Sequence, residues 1–363
     1  MSSRVDVWDV QRAKDVKLDC GFRRQPLTEK YELGCALGEG GFGVVRIVRA
    51  RDSGTEFACK TIRKRLDVPN LAAAKQQQHL DNIKREVAIL RKLRGTLNVV
   101  YLEEAYEDDE DVHIVQELCR GGELFHRIGR RHYSEQTVAS FMRAVLRTLA
   151  QCAANRILHR DIKPGNFMLL TEADDSPLKA IDFGLAVFFD PKQLPRTDLG
   201  LEGTPWYMAP EALSSAVEPV SDVWAAGVMA YQLLSGKFPF DDWQHPEAPS
   251  LSLVWRSVLT EVPRFSGKSW EGISDAAKAF CRRVLVKDPR KRPSAREALQ
   301  DPWLLGNVKQ RSRGAQLSSV VQRLQRYNQQ NVFKRTARCL FVRTLDSAAQ
   351  YAGPFAPPLS ICP

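Results

Sequence analysis

Residues 31–62, YELGCALGEGGFGVVRIVRARDSGTEFACKTI, narrow the fold more than any other stretch of the chain. They hold Gly38, Gly40 and Gly43 in a G-x-G-x-x-G spacing. That spacing occurs in two settings. In a dinucleotide-binding unit a helix follows the glycines directly and aims its N-terminus at a pyrophosphate. Here VVRIVRA follows instead, β-branched and alternating, which reads as a strand. RDSGT then makes a turn, and EFACKTI reads as a third strand. The glycines therefore stand at a hairpin tip, where backbone can lie close over phosphates with no Cβ in the way.

The third strand carries Lys60. A lone strand lysine is ordinarily solvated. Behind a glycine hairpin, with Ala58 two residues before it, it can pair with phosphate oxygens, and it then needs an acid to hold it. DNIKREVAILRKL reads as a helix with Ile83, Val87 and Leu90 on one face; Glu86 could face inward as that acid, although taken alone it reads as a surface helix acid. LHRDIKPGNFML is more specific. It sets Asp161 and Asn166 on one short loop with Lys163 between them. An aspartate can accept the proton of an attacking hydroxyl, and an asparagine carbonyl is a hard oxygen ligand suited to Mg²⁺. In IDFGLA, after a strand-like LKAI, Asp182 supplies a second, charged metal ligand beside a flexible glycine.

Taken together, GEGGFGVV, FACK, Glu86, HRDIKPGN, DFG and GTPWYMAPE stand in the order of the eukaryotic protein-kinase family, which the chain resembles over about residues 31–304. The resemblance implies an α+β, bilobal protein-kinase fold. Residues 31–117 would form an N-lobe, an antiparallel β lobe with one main helix, and residues 118–304 a larger, mostly helical C-lobe. It implies ATP and Mg²⁺. Gly38, Gly40 and Gly43 would cover the phosphates, with Val45 against the adenine, and Ala58 and Met168 would sandwich the ring. Lys60, braced by Glu86, would hold the α- and β-phosphates. The Glu117 carbonyl and the Cys119 amide would bind the adenine edge, with Gln116 as gatekeeper. Asp161 would orient the substrate hydroxyl and take its proton, and Asn166 and Asp182 would hold the metal. Lys163 and Thr204 complete the catalytic set and mark the serine/threonine branch. Glu211 would pair with Arg292, and Asp222 would brace the catalytic loop. So many charges suit phosphoryl transfer, which asks for alignment and charge compensation more than covalent chemistry.

Within that family CRGGELFHRI, PWYMAPEAL and SWEGISDAAKAFCRRVL are similar to the calcium/calmodulin-dependent group, most of all to the plant and algal calcium-dependent protein kinases. Glu123 implies a substrate with an upstream arginine, while Gly165 stands where this group usually has glutamate. The activation segment has Gly200 at the usual phosphosite. Arg160 would then take Glu202 or Asp198 as its partner, with Thr197 an alternative phosphate acceptor. RLDVPNLAAAKQQQHL, longer than the family usually shows, is expected to be a surface extension of the Glu86 helix. A binding scaffold on this fold would lack the lysine, the catalytic aspartate or the metal aspartate, and all three are here. A Walker A loop is absent.

Charge separates the body from the end. Between Gly306 and Leu345 nine basic residues and no acid account for +9 of the net +10. The balanced body gives no reason to expect nucleic acid. In QLSSVVQRLQRYNQQNVFKR, residues 316–335, Leu317, Val320, Val321, Leu324 and Tyr327 share one side of a helical wheel. A membrane-surface helix, a nucleic-acid arm with too few aromatics, and a helix capping the C-lobe all fit in part. The resemblance favours a junction or autoinhibitory segment over residues 305–345, captured by a calmodulin-like protein with Val320 and Phe333 as anchors. The family's EF-hands do not follow: no D-x-[DN]-x-[DN]-G loop occurs, and residues 346–363 read as a disordered, proline-rich tail. Either the junction answers to a separate calmodulin-like protein, or the sequence is a shortened product.

Residues 1–30, an N-terminal extension, have no apolar leader, and residue 2 is serine, so neither secretion nor myristoylation is expected. No apolar run reaches transmembrane length. Eight scattered cysteines without C-x-x-C pairs suggest reduced thiols, mostly in the core of a cytoplasmic or nuclear protein. Protein substrates are the expected partners.

Overall fold

The computed structural model describes residues 17–18, 21–40, 43–66, 68, 71–124 and 134–306. The expected junction helix at 316–335 and the tail at 346–363 lie outside the described residues.

The alternating segments become strands β1 (Tyr31–Gly40), β2 (Gly43–Ala50) and β3 (Glu56–Arg63). With β4 (Leu102–Glu107) and β5 (Asp111–Glu117) they form one sheet in the order β1-β2-β3-β5-β4. Every neighbouring pair is antiparallel. Period-two alternation sends successive side chains to opposite faces, and both faces are covered. Ile62, Val112 and Ile114 belong to the main core together with Leu80, Ile83, Val87 and Leu90 of one long helix. The other face buries Val48, Cys59 and Val115 with Tyr31, Tyr106 and Leu27, the last from the short helix α1 (Leu27–Lys30).

The long helix, α2, runs Ala73–Lys92 and thus begins inside the polar, glutamine-rich run. The expected surface extension of the helix holds at exposed Ala74, Lys75, Gln77 and Gln78, and needs correcting at two positions. Gln76 and Leu80 are each 1% exposed. The Gln76 amide accepts from Leu66 N at 3.0 Å and donates to Lys64 O at 2.6 Å, fastening the loop after β3 to the helix. A buried amide with both ends satisfied can sit in a core, so polar composition concealed this burial.

Past the hinge helices dominate, as the resemblance implies. α3 (Glu135–Ala154) starts at Ser134, whose side chain accepts from Thr137 N. α4 (Pro210–Leu213) precedes α5 (Pro219–Ser235), in which every residue from Ser221 onward is buried. A helix apolar on all sides belongs at the centre of a lobe. α5 is also well delimited, by a Glu218–Ser221 capping box, a proline at its start and left-handed Gly236 at its end. α6 (Leu251–Thr260), α7 (Asp275–Val284), α8 (Ala295–Ala298) and α9 (Pro302–Leu305) complete the lobe.

The expected Glu211–Arg292 pair lies against α5. The Arg292 guanidinium donates twice to the Glu211 carboxylate, at 2.5 and 3.0 Å. Its remaining hydrogens go to the carbonyls of Val286, Val220 and Lys287. The group also lies over the Trp224 ring, 5.1 Å from its centre.

Of the five described cysteines, Cys59, Cys119, Cys152 and Cys281 are buried and Cys35 is exposed. Among the described residues no helix is long and apolar enough to cross a membrane.

Candidate active site

Strand register lines up the first part of the site. Gly38 pairs with Val45, and Val45 with Lys60. Ala58, two residues before Lys60, lies on the same sheet face and pairs with Gln116. Gly43 closes the hairpin with φ of 127°, and a Cβ there would fall 1.9 Å from Thr61 O, so only glycine fits. Gly40 pairs with Gly43 across the tip.

Lys60 points at two acids, Glu86 Oε1 at 2.6 Å and Asp182 Oδ1 at 3.4 Å. Burial disfavours its ammonium, but the Asp182 and Glu86 carboxylates outweigh this and hold its pKa above the ordinary lysine value. Burial raises the Glu86 pKa, with Lys60 acting against that rise. At Asp182 burial is overcome by Lys60, by the Gly184 N–H and by Lys163, so its pKa is lowered. The helix that carries Glu86, read from Ile83, Val87 and Leu90, thus delivers its acid to the strand lysine.

The loop that carries Asp161 runs from β7 (Ile157–Leu158) to β8 (Phe167–Leu169). Arg160 adopts a left-handed φ of 68°, a conformation that costs a non-glycine residue about 1–2 kcal/mol. Asp222, on α5, stabilises it by accepting from His159 N at 2.7 Å and Arg160 N at 2.8 Å. Such strain collects where a loop must aim side chains, and Asp161 is the next residue. Its Oδ1 accepts from the Thr204 hydroxyl at 2.6 Å. Its Oδ2 accepts from Lys163 Nζ at 2.6 Å and from Asn166 Nδ2 at 3.0 Å. Lys163 also reaches Thr204 Oγ1 at 2.9 Å. Asn166 Nδ2 donates a second bond to Asp161 O at 2.7 Å. Both amide hydrogens are therefore used, which leaves Oδ1 as the atom Asn166 offers a cation.

Asp182 follows β9 (Leu178–Ala180), which pairs with β8. Ile181 N donates to Asn166 O at 3.0 Å, tying the two metal-ligand candidates through one backbone bond. A side chain at Gly184 would crowd Asp182 Oδ1 at 3.2 Å. His159 lies 4.9 Å from the Phe183 ring, and burial pushes its imidazole below the usual histidine range.

At the hinge, the Glu117 carboxylate accepts from Tyr101 N at 2.7 Å. Cys119 is buried, and among the described residues no backbone or side-chain acceptor takes its amide hydrogen. Met168 pairs with Glu123 of β6 (Gly122–Glu123), so the residue expected under the adenine and the one expected to read substrate are strand neighbours. Sequence reading passed over Lys179. Its Nζ lies 2.7 Å from Glu117 Oε1, joining the hinge to the strand that leads into Asp182. The available signal was a charged residue inside the apolar LKAI.

The activation segment selects between two expected partners. Arg160 is paired with Glu202 at 3.0 Å and also donates to Leu185 O and Leu199 O. Asp198 is instead engaged by Arg196, at 2.6 Å on each oxygen. Thr197 is exposed.

The donor set suits Mg-ATP. One carboxylate and one amide oxygen stand on adjoining loops, as a hard cation requires when water and phosphate complete its shell. An anchored ammonium, Lys60, stands beside Asp182, and among the described residues the Cys119 hinge amide meets no acceptor.

A family model for the protein kinase domain matches residues 31–304. Calcium-dependent protein kinase 7 of Oryza sativa subsp. japonica is 40% identical over 318 residues, covering 87% of this chain and 56% of that protein. Calcium-dependent protein kinase 34 of Arabidopsis thaliana is 38% identical over 317 residues, covering 86% and 57%. The chain thus spans about half the length of the curated relatives it matches. The glycine hairpin, the anchored Lys60 and the Asp161 loop all fall inside the matched region, and the chain belongs to the protein kinase family.

Proposed function

We propose that the chain is a serine/threonine protein kinase that transfers the γ-phosphoryl group of Mg-ATP to protein hydroxyls. The observation that carries this is the adjacency of two clusters, Lys60–Glu86–Asp182 and Asp161–Lys163–Thr204–Asn166, joined by the Ile181 N–Asn166 O bond and by the pull of Lys163 on Asp182. Bound Mg²⁺ would supply positive charge at the phosphate oxygens. Asn166 Oδ1 and the Asp182 carboxylate are the groups to hold it. Lys60, kept charged and fixed by Glu86, positions the phosphates. Asp161, locked by three donors, orients a substrate hydroxyl and accepts its proton. Lys163 compensates charge beside it, and the Thr204 hydroxyl keeps both groups in register. Val45, Ala58 and Met168 suit an adenine ring, and the Cys119 amide suits its edge. Glu123 suits a substrate arginine.

The relatives' names include calcium dependence, and the basic pattern of residues 316–335 fits an autoinhibitory helix that a calmodulin-like protein removes. The Arg160–Glu202 pair supports activity without activation-loop phosphorylation. The test is peptide phosphorylation by the full chain and by a version ending at Gly306, with and without Ca²⁺/calmodulin. Higher activity on truncation, and calmodulin activation of the full chain only, supports the restraint. Equal activity throughout removes it and leaves the kinase. Inactivity of both versions, beside an active control kinase on several peptides, leaves a scaffold.

A further inference from the structure

Ahead of the matched kinase domain, residues 17–18 and 21–30 are built into the small lobe. β4 is an edge strand of the five-stranded sheet. Edges carry unpaired backbone groups that another segment can satisfy. Arg23 does so, forming a parallel bridge to Tyr106. Arg23 N donates to Ala105 O and Glu107 N to Arg23 O, both at 2.9 Å. On one side of this bridge Leu18 is 1% exposed, within the main core. Its N–H donates to Glu107 Oε1 at 2.8 Å, an oxygen that also pairs with buried Lys64 just after β3. On the other side Lys30 pairs with Glu104 at 2.9 Å.

The same segment holds the end of α2. Arg91, in the last turn, donates to Gly21 O at 2.8 Å. Its guanidinium also lies over the ring of Phe22, which is 8% exposed. Glu86 stands five residues earlier on that helix, about 7–8 Å along the axis. Helix shifts in switching transitions run to about 1–2 Å, and the upper end of that range would carry a 2.6 Å ion pair beyond contact. Here the strap bonds α2 to β4 directly.

We propose that residues 21–30 are a positioning strap: by tying the last turn of α2 to the edge of the sheet, they keep Glu86 within reach of Lys60. The proposal rests on the kinase reading of the cleft. It assigns Phe22, Arg23 and Arg91 as positioning residues that act through Glu86.

The test is a double-mutant cycle on peptide phosphorylation with Mg-ATP. The intact chain is compared with a chain starting at residue 31, each with Glu86 or with Glu86→Gln. Strap removal is expected to lower kcat about tenfold with Glu86 present and less than about twofold in Glu86→Gln, because residues acting through one contact are not additive. A synthetic peptide of residues 17–30 added in trans should restore kcat saturably in the first background only. Arg91→Met in the otherwise intact chain, which keeps the apolar stem and loses the bond to Gly21 O, serves if the shortened chain does not fold. It should lower kcat about threefold, again only with Glu86 present. Additive losses, or unchanged kcat after strap removal and in Arg91→Met, overturn the strap and leave the kinase reading intact. No turnover by the intact chain or by the version ending at Gly306 removes the kinase reading and this proposal with it.

Discussion

Replacing Glu211 with glutamine would leave the Arg292 guanidinium buried without its counter-charge. The Arg292 side chain has no solvent exposure and that of Glu211 has 9%. Breaking a buried ion pair from one side costs about 3–5 kcal/mol, chiefly because a charge is stranded. The lower end applies here. Three carbonyls, of Val286, Val220 and Lys287, still accept from the guanidinium, and the Trp224 face still lies beneath it. A glutamine amide, by contrast, presents N–H toward N–H on one arm. At about 2–4 °C per kcal/mol for a domain of this size, a loss of about 3 kcal/mol lowers the melting temperature by roughly 6–12 °C. Differential scanning calorimetry at one fixed scan rate measures this, since large domains often unfold irreversibly. The double variant Glu211→Leu/Arg292→Met should melt higher than the sum of the single changes predicts, because it strands no charge. It should not recover fully, because the same three carbonyls lose their donor. A fall under about 2 °C for Glu211→Gln, or an additive double variant, would refute the stranded-charge account.

Asp161→Asn should reduce peptide phosphorylation by about 10²–10⁴-fold, the usual scale of a lost general base, with little change in melting temperature. A variant within tenfold of the parent would show that this carboxylate takes no proton. Glu202→Gln should lower activity several-fold by removing the partner of Arg160, while exposed Thr197→Ala should leave it unchanged; phosphate mapping with steady-state assays distinguishes the two. His159 has a pKa depressed by burial, so it folds neutral. The unfolded chain therefore binds more protons from about pH 6.5 downward, and stability is lost as pH falls through that window, at up to about 1.4 kcal/mol per pH unit for one group. His159→Phe should flatten that part of a melting-temperature–pH curve, and an unchanged slope would assign it to other groups.

The small lobe was legible because its period-two strands carry few competing signals, and the glycine spacing fixes where the hairpin turns. Asp161, Asn166 and Asp182 were legible because each sits on a short loop whose neighbours have no packing reason to be charged. Lys179 was not. Its partner Glu117 is 62 residues away, and the one local signal, a charge inside the apolar LKAI, does not say what the lysine meets. Gln76 escaped for a related reason, since a satisfied buried amide looks like surface in a composition. The choice between Glu202 and Asp198 turned on the path of the activation segment, which brings Arg196 to Asp198 and leaves Glu202 for Arg160. Residues 21–30 carry no motif, and the strap proposed for them depends on an edge strand that forms some eighty residues later.

The distribution of thiols has a practical use. Burial pushes Cys59 up to about 11 and Cys119 up to about 12, and it raises Cys152 and Cys281 as well. At neutral pH these four hold almost no thiolate, the form that alkylating reagents attack. Cys35 is exposed on β1, three residues before Gly38. With Cys20, Cys339 and Cys362 changed to serine, one equivalent of a maleimide dye would mark that strand alone. Its emission on adding Mg-ATP would then report whether a nucleotide changes the surroundings of β1, without a second label or a substrate peptide.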